Sequence, residues 1–286
     1  MGVTFCLPSW LCGFDSRHPL QLRRCARVYH CGVTIALVRR PSPRLAEGIV
    51  THIDRQPVDA SLAAAQWDAY VATLRSRGWV VREVPALESA PDSVFIEDAV
   101  VMYRDVAIIT RPGDDIRKPE TAAVETTLRD MGCRIERIVA PATMDGGDVL
   151  KVGETIYVGL GGRTNQAGVR QFSHIVQPLG ATVVTVPVTK VLHLKSAVTA
   201  LPDGTIIGWD AAVDDPSVFG NYRSMPEESG AHVVILDDAT LLMAADAPHS
   251  AELLRSLGYR VVCVDISEYE KLEGCVTCLS VRMRHH

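Results

Sequence analysis

The amino-acid sequence predicts an α/β fold, a five-fold pseudosymmetric α/β propeller built from ββαβ repeats that takes up most of the chain as one ring-like domain. Three observations carry the prediction. A hairpin pattern recurs: a short apolar strand, a tight turn and a second apolar strand that exits through Pro, Gly or Asn. Helical stretches separate the copies, and each helix is followed by a further short strand. The period is roughly 50 residues, which suits a ring of supersecondary units that cannot bury their apolar faces alone.

Val33–Arg40 reads as half a hairpin, followed by a helix over Leu62–Arg77 and a strand over Val80–Val84. Full hairpins then occupy Phe95–Pro112 and Asp145–Asn165, with helices at Glu120–Met131 and Asn165–Leu179 and strands at Arg134–Ile138 and Thr182–Val186. His193–Trp209 and Ala231–Ala245 repeat the pattern, the latter leading into helix Ala247–Leu257 and strand Arg260–Val264. A second half-copy, Gly274–Met283, is expected to pair with Val33–Arg40 and close a fifth unit. Arg104-Asp105, Gly153-Glu154 and Asp203-Gly204 suit hairpin tips. Gly78, Gly132, Gly180 and Gly258 each stand just past a helix, where a left-handed stop is expected.

At 286 residues the chain can bury a core without disulfide or metal. A net charge of -5 with only 6% aromatic residues and no basic patch excludes a nucleic-acid surface. No apolar run approaches the ~18 residues of a membrane span. Val3 to Cys12 is apolar, but it lacks the preceding Lys or Arg and the following cleavage site of a secretory signal. The 8 cysteines therefore point to free thiols in a reducing, cytoplasmic compartment. Cys6, Cys12, Cys25 and Cys31, with His18 and His30 among them, raise a zinc site, but their spacing departs from the short Cys pairs of zinc modules. Residues 1–31 are thus read as a disordered N-terminal extension, 32–284 as a single catalytic domain, and His285-His286 as resembling a tag remnant.

Polar residues break the strand pattern at the starts of the hairpins: Asp92, Glu97 and Asp98, then Asp145 and Asp148, then His193, then Cys278. Charges in apolar strands are unfavourable unless paired, so each is either a satisfied core group or a functional one. For a single Asp the structural reading is the stronger. Recurrence at equivalent positions of a repeat favours function, because a ring brings those positions together.

The segments PDSVFIED at 91–98, ITRPG at 109–113, DGGD at 145–148, RTN at 163–165, LHLKS at 192–196 and CVTCLS at 275–280 resemble, in order, the motifs of the dimethylarginine dimethylaminohydrolases. The resemblance runs from about Val33 to the end. It implies a pentein-like propeller and hydrolysis of N-omega-methylated arginine to citrulline, with no metal or other cofactor and a small-molecule substrate as partner, and leaves the oligomeric state open. It makes Cys278 the nucleophile, His193 the general acid/base and Asp145 the group that orients His193, where many relatives carry Glu. Glu97 and Asp98 would grip the guanidinium, Asp92 would meet the α-amino group, and Arg117 and Arg163 would hold the α-carboxylate. Phe95 and the backbone near Ile49 (in a lid loop) and Leu272 would complete the pocket. Cys275, on an extended strand, would point away from Cys278 and be structural.

The residue types suit the chemistry. A guanidinium is a poor electrophile, and carboxylates in its plane fix its carbon against a thiolate through charge-assisted hydrogen bonds. Two other readings stand beside this one. One is an arginine or agmatine deiminase of the same superfamily; arginine deiminases carry His-x-Asp or His-x-Glu where this chain has His193-Leu194-Lys195. A non-catalytic binding protein on the same ring would lose the Cys, His and acid set.

Overall fold

The structure, a computed structural model, describes residues 34–284. The expectations for residues 1–31, including a zinc site, and for His285-His286 lie outside the described residues. In chain order the elements are β1 (Ile35–Val38), α1 (Ala60–Ser76), β2 (Val80–Glu83), β3 (Val100–Tyr103), β4 (Val106–Ile109), α2 (Thr121–Asp130), β5 (Arg134–Arg137), β6 (Val149–Val152), β7 (Thr155–Leu160), α3 (Gln166–Val176) and β8 (Thr182–Pro187). They continue with β9 (Val198–Ala200), β10 (Ile206–Gly208), β11 (Tyr222–Ser224), β12 (Val234–Asp237), β13 (Thr240–Ala244), α4 (Pro248–Ser256), β14 (Arg260–Val264), α5 (Ser267–Glu270) and β15 (Val281–Met283).

The strands form five three-stranded sheets, β15-β1-β2, β3-β4-β5, β6-β7-β8, β9-β10-β11 and β12-β13-β14. In each, the middle strand pairs antiparallel with the first and parallel with the third. The two half-copies do pair, Ile35 opposite Met283 and Leu37 opposite Val281, so the first and last described strands close the ring. The fold is a five-fold α/β propeller.

Its packing explains why the middle strands read as continuous apolar runs. Side chains alternate between the two faces of a strand, and here each face meets a neighbouring blade. Ala36 and Val38 pack with Leu242 and Ala244 of the fifth blade, whereas Leu37 packs with Ala107 and Ile109 of the second. Val106 and Ile108 turn to Ile156 and Val158 of the third blade, and Tyr157 turns to Ile206 of the fourth. Ile207 meets Leu241 and Met243 and completes the circuit. Apolar burial thus lies between blades, in five clusters, and leaves the blade ends at the ring centre to polar residues.

Helix limits follow local signals. α1 starts two residues earlier than its apolar pattern because the Asp59 carboxylate accepts from the Ser61 and Leu62 N–H groups. α3 stops at Val176, since Pro178 converts the expected last turn to a 3-10 turn over Gln177–Leu179. Gly78, Gly132, Gly180 and Gly258 all have positive φ, 82° to 96°, as helix stops require. One blade departs from the repeat: between β10 and β11 there is only a 3-10 turn, Pro216–Val218. Pro216 and Gly220 leave no uninterrupted stretch for a helix, and Phe219 fills the space by stacking on Tyr222 and meeting Tyr157 edge-on. No helix among the described residues is long and apolar enough to cross a membrane.

Candidate active site

The innermost strand of each blade is preceded by a tight turn, and these turns deliver the polar residues. Turns over Pro91–Val94 and Ile96–Ala99 lead into β3 and carry Asp92, Phe95, Glu97 and Asp98. The turn Gly146–Asp148 leads into β6, Leu194–Ser196 into β9, and the turn holding Cys275 and Cys278 into β15. A cavity of about 310 Å³ opens over them. Cys278 and His193 line it with Asp92, Phe95, Asp98, Arg117 and Arg163, and Ile49 and Leu272 sit at its rim.

His193 is buried and held at both ring nitrogens. Nε2 is 3.0 Å from Asp145 Oδ2, and Nδ1 is 3.8 Å from Asp98 Oδ1. Asp145 is fully buried behind the imidazole, fixed in turn by the Gly113 N–H at 2.9 Å. The shorter side chain therefore reaches the ring, which the sequence left open. Asp148 accepts from Thr164 Oγ1 at 2.6 Å and from the Leu194 N–H at 2.9 Å, pinning the residue after the histidine. Burial alone would depress the imidazole, but Asp98, Asp145 and Asp148 outweigh it and raise His193 to about 9. Burial would raise Asp98, yet His193, the Arg117 ion pair at 2.7 Å and the Gly147 N–H bring it down to about 2. The arrangement favours an imidazolium on His193 and a carboxylate on Asp98.

Oxygens of Asp98 and Asp145 and a nitrogen of His193 lie within 4.8 Å of one another. Their lone pairs already face donors: Asp98 takes Gly147 N–H and Arg117, and Asp145 takes Gly113 N–H and the histidine. The set fits a proton-transfer site better than a cation cage.

The glycines of DGGD are dictated by this crowding. A Cβ on Gly146 would lie 2.0 Å from the Glu97 carbonyl oxygen, and one on Gly147 would lie 2.6 Å from His193 Nδ1 and 2.7 Å from Asp98 Oδ1. Gly147→Ala is expected to wedge these two groups apart and lower kcat about a hundredfold, the loss expected when reacting groups are misplaced by ~1 Å. A thermal melt beside the rate assay separates this from unfolding.

Three expectations need correction. Glu97 does not line the cavity: its Oε1 lies 2.6 Å from Lys195 Nζ and 2.7 Å from Arg282 Nη2, which hold it away from the residues that do. Arg117 lines the cavity, but its Nε and Nη2 are committed to Glu120 and to the Asp92 and Phe95 carbonyls, and Nη1 to Asp98. It has little left for a ligand and serves chiefly to hold Asp98. Cys275 does not point away from Cys278. The segment is a turn, closed by the Cys278 N–H donating to the Cys275 carbonyl at 3.0 Å, and the two sulfurs are 3.4 Å apart.

Sequence reasoning missed Arg282, Tyr70 and Glu273. Arg282 Nη1 donates to the Thr277 and Ser280 carbonyls and to Ser280 Oγ, while Tyr70 is 2.7 Å from Ser280 Oγ and donates to the Val276 carbonyl. Both clamp the cysteine turn. Glu273, at φ 60°, accepts from the Thr51 and His52 N–H groups and ties the loop near Ile49 to the cavity rim. Asp92 accepts from the Ile49 N–H at 3.1 Å on the same loop.

No family model matches the chain. It is 62% identical over 249 residues to the N(G),N(G)-dimethylarginine dimethylaminohydrolase of Streptomyces coelicolor, covering 87% of this chain and 96% of that one. The dimethylarginine dimethylaminohydrolase of Pseudomonas aeruginosa, solved as a cysteine-to-serine mutant complexed with citrulline, is 34% identical with a TM-score of 0.82. It aligns over 89% of this chain and 100% of its own. A histidine-to-glycine form of a dimethylarginine dimethylaminohydrolase, an adduct with S-methyl-L-thiocitrulline, is likewise 34% identical with a TM-score of 0.82, over 87% and 99% of the two chains. Motifs, ring closure and overall likeness agree: the chain belongs to the dimethylarginine dimethylaminohydrolase family.

Proposed function

We propose that the protein hydrolyses N-omega-methylated arginines, asymmetric dimethylarginine and monomethylarginine, to citrulline and the corresponding methylamine. The carrying observation is the convergence of Cys278, His193 and Asp98 on one cavity whose far wall holds Arg163. Arg163 is buried, and its Nη1, 3.8 Å from Asp114 Oδ2, makes no hydrogen bond among the described residues. An α-carboxylate would satisfy it. Asp92 and the backbone at Ile49 and Leu272 would receive the α-ammonium end, Phe95 would pack on the aliphatic chain, and Asp98 would accept from the guanidinium.

The thiolate of Cys278 adds to the guanidinium carbon, and the bond from that carbon to the methylated nitrogen breaks. The His193 imidazolium gives its proton to the departing amine, leaving an S-linked thiouronium on Cys278. Neutral His193 then takes a proton from water, whose oxygen adds to the same carbon. The carbon–sulfur bond breaks, the new hydroxyl gives its remaining proton to solvent as it becomes the ureido carbonyl, and citrulline departs with the thiolate restored and His193 still protonated for the next cycle. One group thus acts as acid and then base, as covalent catalysis of this kind requires. Residues 32–284 constitute the single domain that carries this chemistry, and a site built on an unoxidised cysteine suits a reducing cytoplasm.

Citrulline release from asymmetric dimethylarginine, monomethylarginine and arginine tests the reading. Release from the methylated substrates with little from arginine is expected. Turnover of arginine alone would make the protein a deiminase, and no release from any of them by folded protein would sink the enzymatic reading. Arg163→Ala is expected to raise KM roughly ten- to a hundredfold with kcat changed less than about threefold, the loss of one charged hydrogen bond. Steady-state kinetics on the variant check it.

A further inference from the structure

The turn ahead of β15 holds a second thiol that the steps above do not use. Cys275 and Cys278 are both buried, and their sulfurs lie 3.4 Å apart. A disulfide of about 2.05 Å between sulfurs asks for Cα atoms about 4.4–6.8 Å apart. The backbone suits that span as it stands. The Cys278 N–H donates to the Cys275 carbonyl at 3.0 Å, and a turn closed in this way keeps its end Cα atoms within about 7 Å. Between the two cysteines, Tyr70 holds the Val276 carbonyl and Arg282 the Thr277 carbonyl. The side chains thus face each other on a fixed turn, and rotation about their own bonds is enough to join them.

The chemistry of the two sulfurs is unequal. The hydrogen bond between them lowers the Cys275 thiol against the opposing effect of burial, with His232 and Thr277 adding to it. Cys275, burial, and the charges of Glu97 and Asp98 push Cys278 well above the ordinary thiol range. The more readily ionised sulfur therefore stands behind the nucleophile. Cys278 borders the cavity, so a solute little larger than water meets the pair from the side on which substrate enters.

We propose that Cys275 and Cys278 form a modification site, a dithiol that a hydroperoxide closes to an intramolecular disulfide, taking the nucleophile out of use reversibly. Cys275, as the thiolate, attacks one peroxide oxygen: a sulfur–oxygen bond forms, the oxygen–oxygen bond breaks, and the departing hydroxide leaves as water with the proton Cys275 had released. The Cys278 thiol then attacks the sulfenic sulfur. The sulfur–sulfur bond forms, the sulfur–oxygen bond breaks, and this second hydroxide leaves as water with the Cys278 proton. Two electrons pass from the sulfur pair to the peroxide, and a dithiol reductant returns them by exchange. A solitary thiol would instead go on to sulfinic and sulfonic acids, which no thiol reverses. The consequence for catalysis rests on the reading of Cys278 as nucleophile; formation of the bond does not.

The test treats wild type and Cys275→Ser with hydrogen peroxide, caps free thiols with iodoacetamide and maps the peptides by mass spectrometry. Citrulline release is measured before treatment, after it, and after dithiothreitol. In wild type the peptide carrying both cysteines should become lighter by two hydrogens and escape capping until reduced. Dithiothreitol should then restore more than about nine-tenths of the untreated rate, since a disulfide is a reversible stage of thiol oxidation. Inactivated Cys275→Ser, which lacks the second sulfur, should regain less than about a tenth of its own untreated rate and carry sulfinic or sulfonic acid at Cys278. Wild type in which both thiols stay free, or in which Cys278 is over-oxidised with no link to Cys275, would overturn the proposal. Recovery of Cys275→Ser as complete as that of wild type would overturn it too. Mapping needs no turnover, so an untreated wild type that releases no citrulline would refute the proposed function while the peptide mass still decides the disulfide.

Discussion

Cys278→Ser is expected to remove citrulline release almost entirely, lowering kcat by more than about ten-thousandfold, as loss of a covalent nucleophile does elsewhere. The reason is local. A serine hydroxyl ionises far above the range in which any group here can draw its proton, and Glu97 and Asp98 set their negative charge against an alkoxide at this position. Oxygen for sulfur is a small change of volume, and the turn is held by Arg282 and Tyr70 through backbone and Ser280 rather than through the sulfur. The variant should therefore fold, melt near the wild type and still bind methylarginine by calorimetry. Turnover above about a tenth of wild type in a folded variant would move the nucleophile elsewhere. Cys275, 3.4 Å away, would be the next residue to replace.

The repeat was legible because each middle strand is buried on both faces and so reads as an unbroken apolar run, and because hairpin tips and helix stops need residues with positive φ. Arg104, Gly153 and Gly204 at the expected tips have φ of 51°, 59° and 86°. The blade carrying β9 to β11 was less legible, since Phe219 replaces a helix by aromatic packing that leaves no periodic signal. In the site, the motifs named residues but could not assign their directions. Glu97 and Asp98 are adjacent in sequence and face different neighbours, Lys195 and Arg282 for one, His193 and Arg117 for the other. Only the turn over Ile96–Ala99 decides that split. Cys275 was misplaced for the same reason: strand alternation was assumed where the chain turns, and the strand begins only at Val281. Arg282 sits within a strand that looks merely amphipathic; Thr277 and Ser280 meet it within the local turn, and Glu97 is brought to it only by the ring closing on itself.

His193→Gln should be nearly as damaging as loss of the sulfur, with kcat down about a thousandfold, the upper part of the range for one group serving as both acid and base. The amide keeps the volume and can still donate to Asp145, but it carries no transferable proton at Nδ1, the ring nitrogen nearer Asp98. The unmodified enzyme should reveal the same proton in its pH profile. Asp98, Asp145 and Asp148, against the opposing effect of burial, raise His193 to about 9, above the ordinary histidine value. The imidazolium that protonates the leaving amine is then present throughout the neutral range and is lost as pH rises through about 9. Activity should accordingly hold at neutral pH and fall on the alkaline side in kcat/KM, which reports the free enzyme. Asp145→Asn removes a negative neighbour and should shift that alkaline limb to lower pH, the direction that distinguishes electrostatic support from simple orientation. An analogue whose leaving group is a thiolate needs no proton to depart, so His193→Gln should still form the covalent adduct with it and then stall, because water would lack its base. A variant that clears this adduct at the wild-type rate would remove His193 from the second half of the reaction.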